Sequence, residues 1–159
     1  MTYTLALIIF ALFAQAPSKT DAQKDSPVTH HAKGAFDVKL AQLSTVDPEN
    51  KNMARMSIDK QFHGDLEATS KGEMLSAATS VKNSAGYVAM EQVTGSLQGR
   101  SGSFVLQHNA TMNRGTPQLS ITVVPDSGTG QLEGITGQMD IKIEPGGKHY
   151  YDFAYTLPE

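Results

Sequence analysis

At 159 residues and 17.1 kDa, the chain has room for one ordinary domain and not comfortably for two. Hydrophobic residues at 39% fit a globular core, and a formal charge of −3 offers no basic stripe to a nucleic-acid backbone. The absence of cysteine excludes disulfides, thiolate metal sites, lipoprotein anchoring and thiol catalysis.

The chain opens on a segment unlike the rest. Leu5 to Phe13 is an uncharged apolar run, too short to span a bilayer and of the length of a signal-peptide core. Ala14-Gln15-Ala16 follows, with small residues where a signal peptidase reads them. Residues 1–16 are therefore expected to be a signal peptide, and the protein to be exported to the periplasm or beyond. If they are not a leader, the chain is cytoplasmic. The missing Lys or Arg before Leu5 and the awkward Pro17 count against this cut, and a later one after Ala22 is the alternative. Residues 17–34 are polar, hold Pro17 and Pro27 and lack periodicity, which predicts a disordered linker. His30 and His31 lie in it without a ligand-spaced partner, so no metal site is expected there.

From residue 35 to residue 158 the pattern has period two, the mark of half-buried strands. Phe36, Val38 and Leu40 alternate with Asp37 and Lys39. Ala54, Met56, Ile58 and Phe62 alternate with Arg55, Ser57, Asp59 and Gln61. Leu66, Ala68 and Met74 oppose Asp65, Glu67, Lys71 and Glu73. Phe104, Leu106, Ala110 and Met112 oppose Ser103, Gln107, Asn109 and Thr111. Later come Leu119, Ile121 and Val123, then Ile135, Met139, Ile141 and Ile143, and finally Tyr151, Phe153, Tyr155 and Leu157. Turn-forming residues separate the runs, as at Lys82 to Gly86, Pro125 to Gly128 and Pro145 to Gly147. Eight strands are expected, over about 35–42, 53–62, 64–76, 86–97, 102–112, 118–125, 130–143 and 148–157. Short connections make neighbours antiparallel, and eight strands with one apolar face each can hide their edges in a closed barrel. The expected fold is an all-β antiparallel eight-stranded meander closed into a barrel.

Thr94 to Phe104 and Thr129 to Met139 share T-G-x-L-x-G-x-x-G, a weak internal repeat whose glycines suit barrel corners. No G-x-G-x-x-G opens a helix and no G-K-[ST] occurs, so no cofactor is expected.

Four stretches carry a likeness: Arg55 to Ala77, Gly86 to His108, Val123 to Gly134, and Tyr150 to Pro158. Together they resemble an uncharacterised bacterial domain family whose fold is similar to the eight-stranded barrel of allene oxide cyclase. The resemblance covers about residues 35–158 and implies the barrel and homo-oligomerisation. It implies no activity, and no catalytic residue of the cyclase maps onto a motif here.

Candidate chemistry comes from polar residues on an apolar face. If Gly99-Arg100 forms a two-residue turn, Glu91 lies directly opposite His108 within a ladder of facing pairs: Gly95–Phe104, Val93–Leu106, Ala89–Ala110 and Tyr87–Met112. A carboxylate beside an imidazole sets its tautomer and raises its basicity, which suits general acid–base work; the same pair can simply satisfy two buried groups. Tyr87, His149, Tyr151 and Tyr155 share the inward parity and are candidate ligand-binding residues. No metal ligands are expected, and Ser101 and Ser103 have no nucleophile context.

Three readings of function remain open. One is a barrel that binds a small apolar molecule in its lumen. Another is a cofactor-free isomerase or cyclase using Glu91 and His108, and the third is a structural or assembly module. The partners expected are a small apolar ligand and a second copy of the chain, with no nucleic acid and no transmembrane span in the mature chain.

Overall fold

A computed structural model describes residues 28–43, 49 and 52–158. The expected leader, most of the expected linker and much of the Asp47-Pro48-Glu49-Asn50 turn lie outside them. Eight strands run in order: β1 (His30–Gln42), β2 (Met53–Gly64), β3 (Leu66–Ala78), β4 (Ala85–Leu97), β5 (Arg100–Asn113), β6 (Thr116–Val123), β7 (Thr136–Ile143) and β8 (His149–Thr156). Each pairs antiparallel with its sequence neighbours, and β1 pairs with β8, so the sheet closes into a barrel. Among the described residues, no helix is long and apolar enough to cross a membrane.

Period-two alternation makes this work, because successive Cβ atoms point to opposite faces of a strand. The even-numbered apolar residues of β1, β2, β3 and β5 point inward, as do the odd-numbered ones of β4, β6, β7 and β8. Phe36, Phe62, Leu66, Val93, Leu97, Phe104, Ile121, Met139 and Phe153 form one buried cluster.

Three expectations need correction. The first concerns the start of the barrel. β1 begins at His30, so His30 and His31 belong to a strand and not to the linker; they pair with Tyr155 and Ala154. Their polarity hides the continuing parity. Ala32 is fully buried, the His30 ring lies 5.4 Å from the Tyr155 ring, and His31 Nδ1 lies 2.8 Å from Asp152 Oδ1. Closing the barrel requires a partner for β8, and these residues supply it.

The second concerns β7, which starts at Thr136 and not at residue 130. Gly130–Leu132 instead forms a single 3-10 turn. Gly130 and Gly134 take φ of 60° and 76°, which favours glycine and interrupts an extended strand. The loop still fills the barrel: Leu132 and Ile135 are buried at its closed end. Ser127 Oγ and Thr129 Oγ1 accept hydrogen bonds from the backbone N–H groups of Val105 and Ser103. Side chains thus cover the part of β5 that extends past β6.

The third is the β4–β5 register. The turn residues are Gln98 and Gly99, with φ of 48° and 84°, the paired positive angles of a type I′ turn. Leu97 pairs with Arg100, Val93 with Phe104, Ala89 with His108 and Glu91 with Leu106. The ladder is displaced by two residues from the Gly99-Arg100 turn, so Glu91 and His108 are diagonal neighbours. Since the displacement is even, every side chain keeps its expected face.

The two ends of the barrel differ. At the β2–β3 and β4–β5 turns, aromatic rings and aliphatic side chains fill the interior: Phe104 stacks on Phe153 at 5.5 Å, and Phe153 on Tyr155 at 5.4 Å. At the other end, inward-parity Leu40 and Ile143 remain 52% and 62% exposed.

Candidate functional site

The boundary between the filled and open halves is polar. Four strands contribute to it: Lys60 from β2, Ser70 from β3, Glu91 from β4 and His108 from β5. Lys60, Glu91 and His108 are 5%, 0% and 3% exposed, and Ser70 is buried with them. Lys60 Nζ donates to Glu91 Oε2 at 2.7 Å, and the Ser70 hydroxyl donates to Glu91 Oε1. His108 Nε2 lies 2.9 Å from the same Oε2, at ion-pair distance but without an aligned hydrogen bond.

Glu91 reaches Lys60 by crossing a whole strand. Ile58, Gly72 and Glu91 are successive partners across β2, β3 and β4, and Lys60 pairs with Ser70 one step along. A Cβ at position 72 would lie 2.2 Å from the Met90 carbonyl oxygen and 2.8 Å from Glu91 Cα. Glycine there lets β4 approach and leaves the glutamate a path over β3. The Lys60 ammonium also sits over two aromatic faces, 5.0 Å from the Phe36 ring centroid and 5.5 Å from that of Phe62.

Burial is the largest influence on Glu91 and by itself pushes its carboxyl upward. The His108 ring, the Lys60 charge and the hydrogen bonds from Lys60 and Ser70 together outweigh it and bring the group down to about 2. Glu91 is therefore an anion at neutral pH, held by three partners. Burial, and then the Glu91 charge, raise the neighbouring Tyr87 phenol above its ordinary value.

Above this floor lies a cavity of about 340 Å3, bounded by Phe36, Val38, Ile58, Met74, Leu119 and Ile141 and reaching Lys60, Tyr87, His108 and His149. A second lobe of about 370 Å3 shares Met74, Tyr87, Leu119 and Ile143 and extends to Met112 and Pro117 at the mouth. Two larger recesses are lined in part by exposed side chains such as Glu73, Asp37 and Lys39. The inner cavity joins apolar walls to the buried Lys60 and His108, the composition expected of a small-molecule site.

Of the candidate residues, Glu91 and His108 come together. Tyr87 and His149 line the cavity, the latter with its ring 5.0 Å from that of Phe36. Tyr151 and Tyr155 belong to the filled half. Tyr151 Oη accepts from the Leu66 N–H at 2.9 Å and donates to the His63 carbonyl at 3.1 Å, while Tyr155 Oη donates to Gln98 Oε1 at 2.7 Å. Burial, the largest influence on the Tyr151 phenol, pushes it up to about 12, and the Leu66 N–H only partly opposes it. His30 and His31 face different partners, Tyr155 and Asp152. Among the described residues, no three His, Asp or Glu side chains gather as metal ligands would.

Sequence reasoning missed Lys60 and Ser70. The signal was present: Lys60 interrupts Ile58 and Phe62 at inward parity, and Ser70 interrupts Ala68 and Met74. A lysine can extend its stem from a wet rim, so parity alone does not bury its charge.

A family profile described as a protein of unknown function, DUF3224, matches residues 32–155. The crystal structure of a DUF3224 protein of unknown function from Shewanella oneidensis MR-1, at 1.84 Å resolution, matches with a TM-score of 0.77. It is 48% identical and covers 83% of this chain and 100% of its own. No curated protein matches the sequence.

Proposed function

The chain belongs to the DUF3224 family of proteins of unknown function, and from its own geometry we propose that it binds a small, mainly apolar molecule inside the open half of the barrel. The observation that carries this reading is the inner cavity, with its aliphatic walls and its floor of Lys60, Glu91 and His108. A structural barrel gains nothing from an apolar mouth, because exposed Leu40, Leu119 and Ile143 forgo the burial that stabilises the other half.

Catalysis by Glu91 as a general base is the weaker reading. A useful base has a pKa near the working pH, and Glu91 is held at about 2 with both oxygens engaged. The group is suited to fixing Lys60 and His108 in place.

The test is titration of the full chain with N-phenyl-1-naphthylamine, a neutral dye that brightens in apolar surroundings. Saturable binding is expected, and Met74→Trp, which fills the junction of the two lobes, should abolish it while leaving the thermal melt nearly unchanged. No binding by the parent chain, or undiminished binding by Met74→Trp, would refute the reading. Export also remains a proposal, resting on the apolar run Leu5 to Phe13.

A further inference from the structure

We propose that the floor of the cavity receives the carbonyl oxygen of a neutral, otherwise apolar ligand, such as a ketone or ester, with Lys60 as the donor. The inference rests on the binding reading above and specifies the chemistry of its occupant.

The first observation is an unused donor. The Lys60 ammonium has three N–H groups, and its one hydrogen bond among the described residues is to Glu91. The rings of Phe36 and Phe62 lie beside it, and the cavity adjoins it. Buried donors are nearly always matched by acceptors, and an aromatic face is only a partial substitute. The second observation is His108 Nε2, buried in the same wall 2.9 Å from Glu91 Oε2 but without an aligned hydrogen bond. Lys60 and His108 are the deeply buried polar groups of the space, which Tyr87 and His149 also line, so a ligand with its polar end at the floor meets them.

Charge selects among such ligands. Lys60 and Glu91 balance each other. A ligand carboxylate would add an uncompensated negative charge between apolar walls and beside Glu91, a costly transfer from water. An ammonium would meet the Lys60 charge. A hydroxyl can accept from Lys60 too, but its own proton then needs an acceptor, and both Glu91 oxygens are already engaged. A carbonyl oxygen adds an acceptor with neither net charge nor a surplus proton. Val38, Leu40, Ile58, Leu119 and Ile141 offer the rest of the ligand only apolar contact.

Displacement of the bound dye tests this. In the parent chain, 2-octanone should compete about tenfold more strongly than propylbenzene, a hydrocarbon of similar bulk, as a hydrogen bond to a buried charged donor requires. Octanoate at pH 7 should compete no better than the hydrocarbon. The double variant Lys60→Met with Glu91→Gln removes both charges at similar volume; in it the ratio of ketone to propylbenzene competition should fall to about one. Independently of any variant, the infrared carbonyl band of bound 2-octanone should lie at lower frequency than in a hydrocarbon solvent. Equal competition by propylbenzene, stronger competition by octanoate, or an unshifted band would overturn the proposal while leaving the cavity reading intact. Failure of the dye itself to bind would overturn both.

Discussion

The two halves of the barrel share their strands but differ in what the inward residues are asked to do. At the closed end, Leu66, Leu97, Phe104, Leu106, Leu132, Ile135 and Phe153 are almost wholly removed from water. Fully burying each such side chain contributes about 1.5–3 kcal/mol. At the open end the same parity presents Leu40, Met112, Leu119 and Ile143, which stay substantially exposed. Continuous ladders tie most neighbours, but β6 and β7 share the single ladder position Thr122–Gln138. The lesson is a division of labour along each strand: one end closes the fold, and the other keeps a space that the fold does not need.

The largest expected effect separates the halves directly. Phe153→Ala removes a ring stacked between Phe104 and Tyr155 and should destabilise by about 3–5 kcal/mol, measured by urea unfolding. A loss below about 1 kcal/mol would mean that the closed half is not the source of stability.

The boundary cluster comes next. Glu91→Ala strands the Lys60 ammonium between two aromatic rings and should also cost about 3 kcal/mol or more. Replacing both partners, with Lys60→Met and Glu91→Gln, should recover most of that loss, because no unpaired charge remains. A double variant as unstable as Glu91→Ala would contradict the ion-pair account.

The cluster also predicts a pH dependence. The Glu91 carboxyl is lowered from 4.5 to about 2 in the folded protein, so the unfolded chain takes up its proton first as pH falls. The stabilisation is complete above about 4.5 and is lost on the way down to about 2, with a magnitude on the order of 3 kcal/mol. Tyr151 works in the other direction: with its phenol pushed up to about 12, stability should fall as pH rises above 10. Urea midpoints across both ranges check this. Glu91→Gln should flatten the acid limb alone, and a curve unchanged by that substitution would sink the assignment.

The smallest expected effect is on the rim. Ile143→Ala should change stability by no more than about 0.5 kcal/mol and yet weaken the dye, since Ile143 borders both lobes. A large loss of stability would show the open half to be structural after all. The N-terminal expectation is checked separately: the native protein should begin between Gln15 and Gln23, as read by terminal sequencing.

Faces were legible before registers. The alternation of Phe36, Val38 and Leu40, or of Tyr151, Phe153 and Tyr155, assigns each side chain to the lumen or to solvent, because inward and outward are a local property of an extended backbone. That is why a turn misplaced by one residue left Glu91 and His108 on the correct face. The extension of β1 through His30 and His31 was not legible, since only β8 gives those polar residues a reason to be ordered. The 3-10 turn at Gly130–Leu132 was masked by a spacing that also reads as a strand.

The amino-acid sequence by itself determined that there are eight strands, their antiparallel order and which apolar side chains face inward, all of which depend on residues close together in the chain. Tertiary structure alone decided that Glu91 of β4 would pass over Gly72 of β3 to meet Lys60 of β2, with Ser70 and His108 completing the group. Such a meeting depends on register summed over several strand pairs and on the curvature that closure imposes. Whether a lysine at inward parity stays at a wet rim or is buried beside two rings is settled only when the far walls arrive.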